Sequence, residues 1–434
     1  MFDKNNRSPG SPLFYYGWVI VALAFITLGI TFGIWYSFSV FFLVVIKEFG
    51  WSRAGASSIY SVFIISQALM ALLAGYLQDR FGPRRIIPFG TLLLSFALIL
   101  TSRAHELWHF QIAYGVLAGA GISILGFSSH SAFIPKWFER KRGLAMGIAM
   151  SGIGFGMLFL VPAAESFISL YGWRTTYGLF AALVFFAIGP LNLIFSRKNP
   201  QELHLQPDGD RLHSDPSLSK PARMVKIIDA QWSGVDWTLG KAFKTKRFWY
   251  LVAGFSFGSY VYQGTLLHGI SAMVDSGLSR TTAAYYFGIL GLASAGGKIL
   301  FGSLSDRFER EKVNNLAGIV TALGLLCLMI VGQVQGPMPF LFALFFGLGY
   351  GAAAPLFPSV SADIFLGNSF GLIFSMMGIG GGIGGAMGSF LPGWLHDLTG
   401  NYSLAIFLSF IGLVLSCLFI SLAAPSKVRK VVKA

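Results

Sequence analysis

Two stretches of this 434-residue chain have residue types and spacings that could do chemistry. "GGKILFG" at 296–302 sets Lys298 in an apolar run with no acidic residue within two helical turns, an arrangement suited to holding an anion. "MMGIGGGIGGAMGSF" at 376–390 places Gly380, Gly382 and Gly385 at the spacing G-x-G-x-x-G, which cradles a pyrophosphate where a strand enters a helix. Which chemistry applies depends on the elements that hold these residues.

The composition is 54% hydrophobic and only 12% charged, with 42 Phe and a mean hydropathy of +0.66. A soluble domain carries about 25% charged residues. Twelve apolar stretches run from 17–46 to 402–424, each long enough to cross a hydrocarbon core of about 30 Å as a helix. They lack the alternation of barrel strands, so the expected class is an all-α membrane protein with twelve transmembrane helices. The glycine segment then lies inside the eleventh stretch, 369–395, with no strand before it. Gly380, Gly384 and Gly388 recur every fourth residue, as do Gly381 and Gly385, and Gly152 and Gly156 in the fifth stretch. That spacing reads as close helix packing rather than nucleotide binding. Cys327 and Cys417 sit in the ninth and twelfth stretches as apolar filler. No metal site and no cofactor are expected, and no G-x-x-x-x-G-K-[ST] motif points to ATP. The polar start "MFDKNNRSPGSP" is followed by no cleavage pattern, so the first span is expected to stay.

The net charge of +14 calls for no nucleic acid. Assigning alternate loops to opposite sides puts most of the 32 Lys and Arg on one side, which predicts cytoplasmic termini and a cytoplasmic central loop in a plasma or cell inner membrane. That loop divides the chain into expected units 1–195, 196–247 and 248–434, two six-helix bundles joined by a linker. The halves repeat: "WSRAGAS" answers "LSRTTAA", and "QDRFGPRR" answers "SDRFEREK". "YGWRTTYGLF" answers "TGNYSLAIF". Two parallel six-helix halves are the plan of major facilitator transporters.

"GYLQDRFGPRR" at 75–85 resembles that superfamily's signature loop, with a degenerate copy, "GSLSDRFEREK", later in the chain. The resemblance implies a gating role for Asp79, Arg80 and Arg84, and for Asp306 and Arg307, in clamping the cytoplasmic side when the transporter faces outward. Within the superfamily the chain is similar to the monocarboxylate transporters and oxalate/formate antiporters, through "YGWVIV", "FGWSRAGAS", "PKWFERKRGLAMGIAMSGIGFG" and "GGKILFGSLSDRF". It implies that Lys298 stands where those carriers have a substrate-binding Arg. Where the animal carriers have an Asp one turn earlier, this chain has Ser294, and Tyr36 replaces a Lys of the first span. The second lysine expected of an oxalate carrier, near Met377, is absent.

Lys298 is therefore the leading candidate for binding a small carboxylate and for proton coupling, against the alternative of a lysine snorkelling to the cytoplasmic face. Tyr36, Ser123, Ser128, Tyr262, Gln263, Ser294 and Tyr350 are further candidates for the substrate cavity, with helix-to-helix hydrogen bonding as the alternative. His130 and His268 are candidate proton carriers, since histidine ordinarily titrates near neutrality. Glu165 reads as a solvated helix end rather than a gate. The expected function is alternating-access transport of a monocarboxylate, as proton symport or anion exchange, by a monomer in the lipid bilayer. The alternatives are an oxalate/formate-type antiporter and a transporter-fold sensor. An enzyme is not expected, because the spans offer only scattered single reactive residues.

Overall fold

A computed structural model describes residues 15–138, 141–203, 205–209, 225–333, 336–367 and 369–431. The side chains of Asp79 and Ser128 lie outside the described set. Ten stretches are helical, long and apolar enough to cross a membrane. The longest, Gly143–Phe195, is two helices: Gly172 turns the chain with φ 78°, and Gly400 does the same with φ 77° at the repeated position in the second half. Both lie in the left-handed region that a side chain disfavours. Lys246–Asp275 is more polar, through Ser256, Gln263 and His268, and completes twelve.

In chain order these helices are α1 (Gly17–Phe49), α2 (Arg53–Phe81), α3 (Pro83–Ser102), α4 (Leu107–Trp137), α5 (142–171) and α6 (173–195). The second set is α7 (Lys246–Asp275), α8 (Arg280–Ser305), α9 (Arg310–Ile330), α10 (Met338–Phe365), α11 (Phe370–Thr399) and α12 (Ser403–Ala423). Ser52 and Ser279 start α2 and α8 alike, each accepting a hydrogen bond from the backbone N–H three residues on. Up-and-down threading puts the linker at one end of the bundle, here called the linker end. The α1–α2, α5–α6, α7–α8 and α11–α12 turns lie at the far end.

Glycine governs which helices touch. Gly29 and Gly33 of α1 press on the backbone at Gly152 and Gly156 of α5. In the second half, Gly384 and Gly388 of α11 press on Ser256 and Tyr260 of α7, and α8 meets α10 through Gly297 and Gly351. Two seams join the sets. The α2–α11 seam runs through Gly382 against Ala68 and Gly385 against Ile64; the α5–α8 seam runs through Gly154 against the Gly291 carbonyl and Gly288 against Leu158. The glycine segment of α11 thus serves two neighbours: Gly380, Gly384 and Gly388 face α7, Gly382 faces α2, and Gly385 meets both. Its backbone is helical throughout, with no strand before it, so it lacks the geometry of a phosphate loop.

The described part of the linker is not wholly helical. Val225–Ile227 pairs antiparallel with Arg429–Val431 of the C-terminal tail. Trp232 donates its indole N–H to the Ile364 carbonyl at 2.8 Å, and Trp237 stacks edge-on against Phe365 at 5.0 Å. These contacts tie the end of the linker to α10.

The packing distinguishes two glycines. Gly384→Leu should drive a side chain into the Ser256 backbone and lower the melting temperature of the purified protein, overpacking typically costing about 1–3 kcal/mol. Gly178→Ala, where nothing lies within 4 Å of an added Cβ, should be neutral or slightly stabilising in the same melt.

Candidate functional site

The two seams open at the same end. On α11 the positions Gly393, Gly385 and Gly382 are closed against α2, whereas at Gly378 and Gly371 an added Cβ would meet nothing within 4 Å. On α5, Gly154 is closed against α8, whereas Gly147 and Gly143 are free. Both helix pairs therefore diverge toward the linker end. Where α5 parts from α8 and α10 there is a cavity of about 460 Å³, lined by Met146, Met150 and Ser151 of α5, Lys298 and Ile299 of α8, and Pro355 of α10, among others. Lys298 is half-buried in its wall and has no ion-pair or hydrogen-bond partner among the described residues.

Deeper in the bundle stands a layer of phenols. The Tyr36 and Tyr350 hydroxyls, from α1 and α10, lie 2.6 Å apart, and the Tyr262 ring is 5.3 Å from that of Tyr350. Trp35 donates to the Tyr60 hydroxyl at 2.7 Å, which donates to Gln263 Oε1 at 3.2 Å. Tyr350 is one turn before Ala354, a cavity-lining residue, on the same face of α10. Tyr36, Tyr262, Gln263 and Tyr350 are thereby brought together.

Other candidates are placed elsewhere. Ser294 spends its hydroxyl proton on the Gly291 carbonyl of its own helix, one turn from Lys298, and Ser123 donates to the Gln67 carbonyl across the α2–α4 contact. His130 is buried, with Nδ1 2.9 Å from the Gly126 carbonyl and Nε2 without a partner among the described residues. Arg80 donates to Tyr76 and Arg84 to the Leu193 carbonyl, so among the described residues both engage only their own half. Asp306 and Arg307 follow the end of α8, where Arg307 is exposed. The side chain of the gating candidate Asp79, like that of Ser128, is outside the described residues.

At the far end the halves are closed by charge, through residues that sequence reasoning passed over. Arg53, at the start of α2, pairs with Asp275 of α7 at 2.9 Å and donates to the Tyr402 hydroxyl. Asp397 of α11 accepts the backbone N–H groups of Arg53 and Ala54 at 2.9 and 2.8 Å, capping a helix of the other half. His396 adds a contact to Asp275 at 3.1 Å. His268 belongs to this closure. Its Nε2 faces the Ser389 carbonyl at 2.8 Å and so carries the proton, leaving Nδ1 to accept from Tyr402 at 2.9 Å. Glu165 is not solvated: it is 2% exposed, and its carboxylate lies 3.4 Å from Arg280 of α8. An acid at a helix end appears solvent-facing in sequence; here α8 covers it. The available signal was that Arg53, Glu165, Asp275, Arg280 and Asp397 all fall toward the far ends of their helices and can form pairs of opposite sign between the halves.

A helical bundle that is closed between its halves at one end and open at the other, with a cation in the wall of the opening, is the architecture of a carrier. The chain belongs to the Major Facilitator Superfamily, whose sequence model matches residues 23–384; it is a multi-pass membrane protein and a secondary transporter of a small solute. Among curated proteins it is 26% identical to monocarboxylate transporter 12 of Xenopus laevis, over 97% of this chain and 91% of that protein. It is 27% identical to human monocarboxylate transporter 11, over 96% and 84%. Among solved structures, a bacterial homologue of the human lysosomal transporter Spinster, in an inward-facing and unoccupied conformation, superposes with a TM-score of 0.70 at 17% identity, covering 97% of this chain and 98% of that one.

The closure at the far end is testable. Arg53→Gln removes charge-assisted hydrogen bonds worth about 1.5–3 kcal/mol. It should raise the population open at the far end by at least about tenfold. Spin labels at Lys47 and Gln333 should report this as a growing long-distance component; an unchanged distance distribution would mean that these contacts do not hold the far end shut.

Proposed function

We propose that this protein carries a monocarboxylate across a plasma or cell inner membrane by alternating access, with Lys298 as the anion-binding cation. The observation that carries this reading is the placement of Lys298, a cation without a counter-charge among the described residues, in the wall of the cavity. Enclosing an unpaired charge costs several kcal/mol, and a bound carboxylate removes that cost. Relatives named monocarboxylate transporters, aligned over nearly the full chain, support the same choice.

In this reading the linker end is cytoplasmic, as the loop charges suggest, and the conformation is inward-open. The two six-helix units, 1–195 and 248–434, rock about the seams while 196–247 links them. A carboxylate enters from the linker end and meets Lys298, with the Tyr36–Tyr350 pair above it. Closure of the linker end then lets Arg80 and Arg84 engage the other half, and the far-end ion pairs release. Transfer of a proton with the anion, or return of a second anion, resets the carrier. One protomer contains all of these parts, which supports a monomer as the functional unit.

Uptake of labelled lactate, pyruvate and acetate into proteoliposomes, with and without an inward proton gradient, tests the reading. Lys298→Gln should reduce uptake at least about tenfold while leaving the melting temperature unchanged. Wild-type uptake by that variant would return Lys298 to a snorkelling role. In competition at one pH, oxalate should act at least about tenfold more weakly than these monoanions, since its second charge finds no partner. Stronger inhibition by oxalate would reveal a second cation in the cavity.

A further inference from the structure

The walls around Lys298 are of a different character from the cation itself. Apart from Ser151, the side chains that line the cavity are apolar: Met146 and Met150 on one side, Ile299 and Pro355 on the other. The volume of about 460 Å³ lies in the range of pockets that hold drug-sized ligands, about 300–1,000 Å³. At about 30 Å³ per water it has room for about fifteen waters. A two- or three-carbon acid paired with Lys298 would leave most of that space to water facing methionine and isoleucine. The cavity also has an apolar edge turned outward, since Leu144 and Ile299 are 57% and 67% exposed on helices that cross the bilayer.

We infer that the preferred substrate is an amphipathic monoanion, a carboxylate with an apolar body of about six to ten carbons. Its head pairs with Lys298 and its body lies along Met146, Met150 and Ile299 where α5 parts from α8. This rests on the reading of Lys298 as the anion site and narrows the substrate class within it. Two features of the cavity select for such a body. Methionine side chains are flexible and polarizable and adapt to varied apolar shapes. The gap between α5 and α8 also gives a tail an exit toward lipid, so the body need not be fully enclosed by protein.

The test is a chain-length series on the full-length purified protein. Labelled octanoate serves as probe, straight-chain monocarboxylates from acetate to octanoate, with lactate and pyruvate, as competitors, and octanol as the uncharged control. Competition should strengthen by about threefold to fourfold per added methylene, with octanol ineffective and lactate weak. Gly147→Phe places a ring into the open side of the cavity, where an added Cβ meets nothing within 4 Å. It should shrink the octanoate-to-acetate affinity ratio at least tenfold. A flat series, absent octanoate binding with lactate uptake intact, or a Gly147→Phe variant that leaves the ratio unchanged would overturn the inference and leave Lys298 as a small-anion site. Octanoate binding undiminished in Lys298→Gln, or binding of no carboxylate at all, would instead overturn the assignment of Lys298 on which the inference rests.

Discussion

Hydrocarbon gives apolar helices no reason to associate, because lipid tails solvate leucine as well as another helix does. What holds this bundle is contact between backbones where side chains are missing, at Gly29 and Gly152, at Gly384 and Ser256, at Gly291 and Gly154. The same constraint shapes the cavity. Glycines continue along α5 and α11 past the point where the seams part, at Gly147, Gly143, Gly378 and Gly371, where no neighbour fills the space. These surfaces are suited to closing as the others already have, so the two ends of the bundle can exchange roles without repacking large side chains.

The cation then acquires a role in timing. Closing the linker end over Lys298 would strip water from a charge that has no partner among the described residues, which is strongly unfavourable. With a carboxylate in place, closure encloses a neutral pair. A ligand shifts a conformational equilibrium only by its differential affinity for the two states, and in the proposed scheme that difference arises from a single ammonium group. In the proposed scheme, an empty carrier with Lys298 charged stays open at the linker end, because closure would isolate a charge, and it returns only with a second anion or after losing the proton.

The helices were legible in the sequence because membrane thickness sets their length, and even the break between α5 and α6 was marked by the "YG" at 171–172. Lys298 was legible because a charge in an apolar run stands out. The far-end closure was not, since Arg53, Asp275 and Asp397 are ordinary charged residues at helix ends, and only the adjacency of α2, α7 and α11 turns them into one network. Glu165 was misread for the same reason, its cover coming from Arg280, more than a hundred residues away. The ribbon of Val225–Ile227 with Arg429–Val431 consists of three-residue strands whose partners are far apart in the chain, too short for any periodicity to show.

The far-end contacts are partly wet: the Asp275 and Arg280 side chains are 32% and 38% exposed, while the linker-end surfaces of α5 are apolar. Dissolved ions screen exposed charges over about 8–10 Å at physiological strength and have little purchase on apolar seams. The two aqueous compartments therefore act on this protein unequally. Salinity on the far side loosens the closed end and favours opening there, whereas on the linker side it weakens only the Arg80 and Arg84 contacts and leaves the apolar surface of α5 untouched. Such a carrier has a built-in sensitivity to the ionic strength of the bath at its far end.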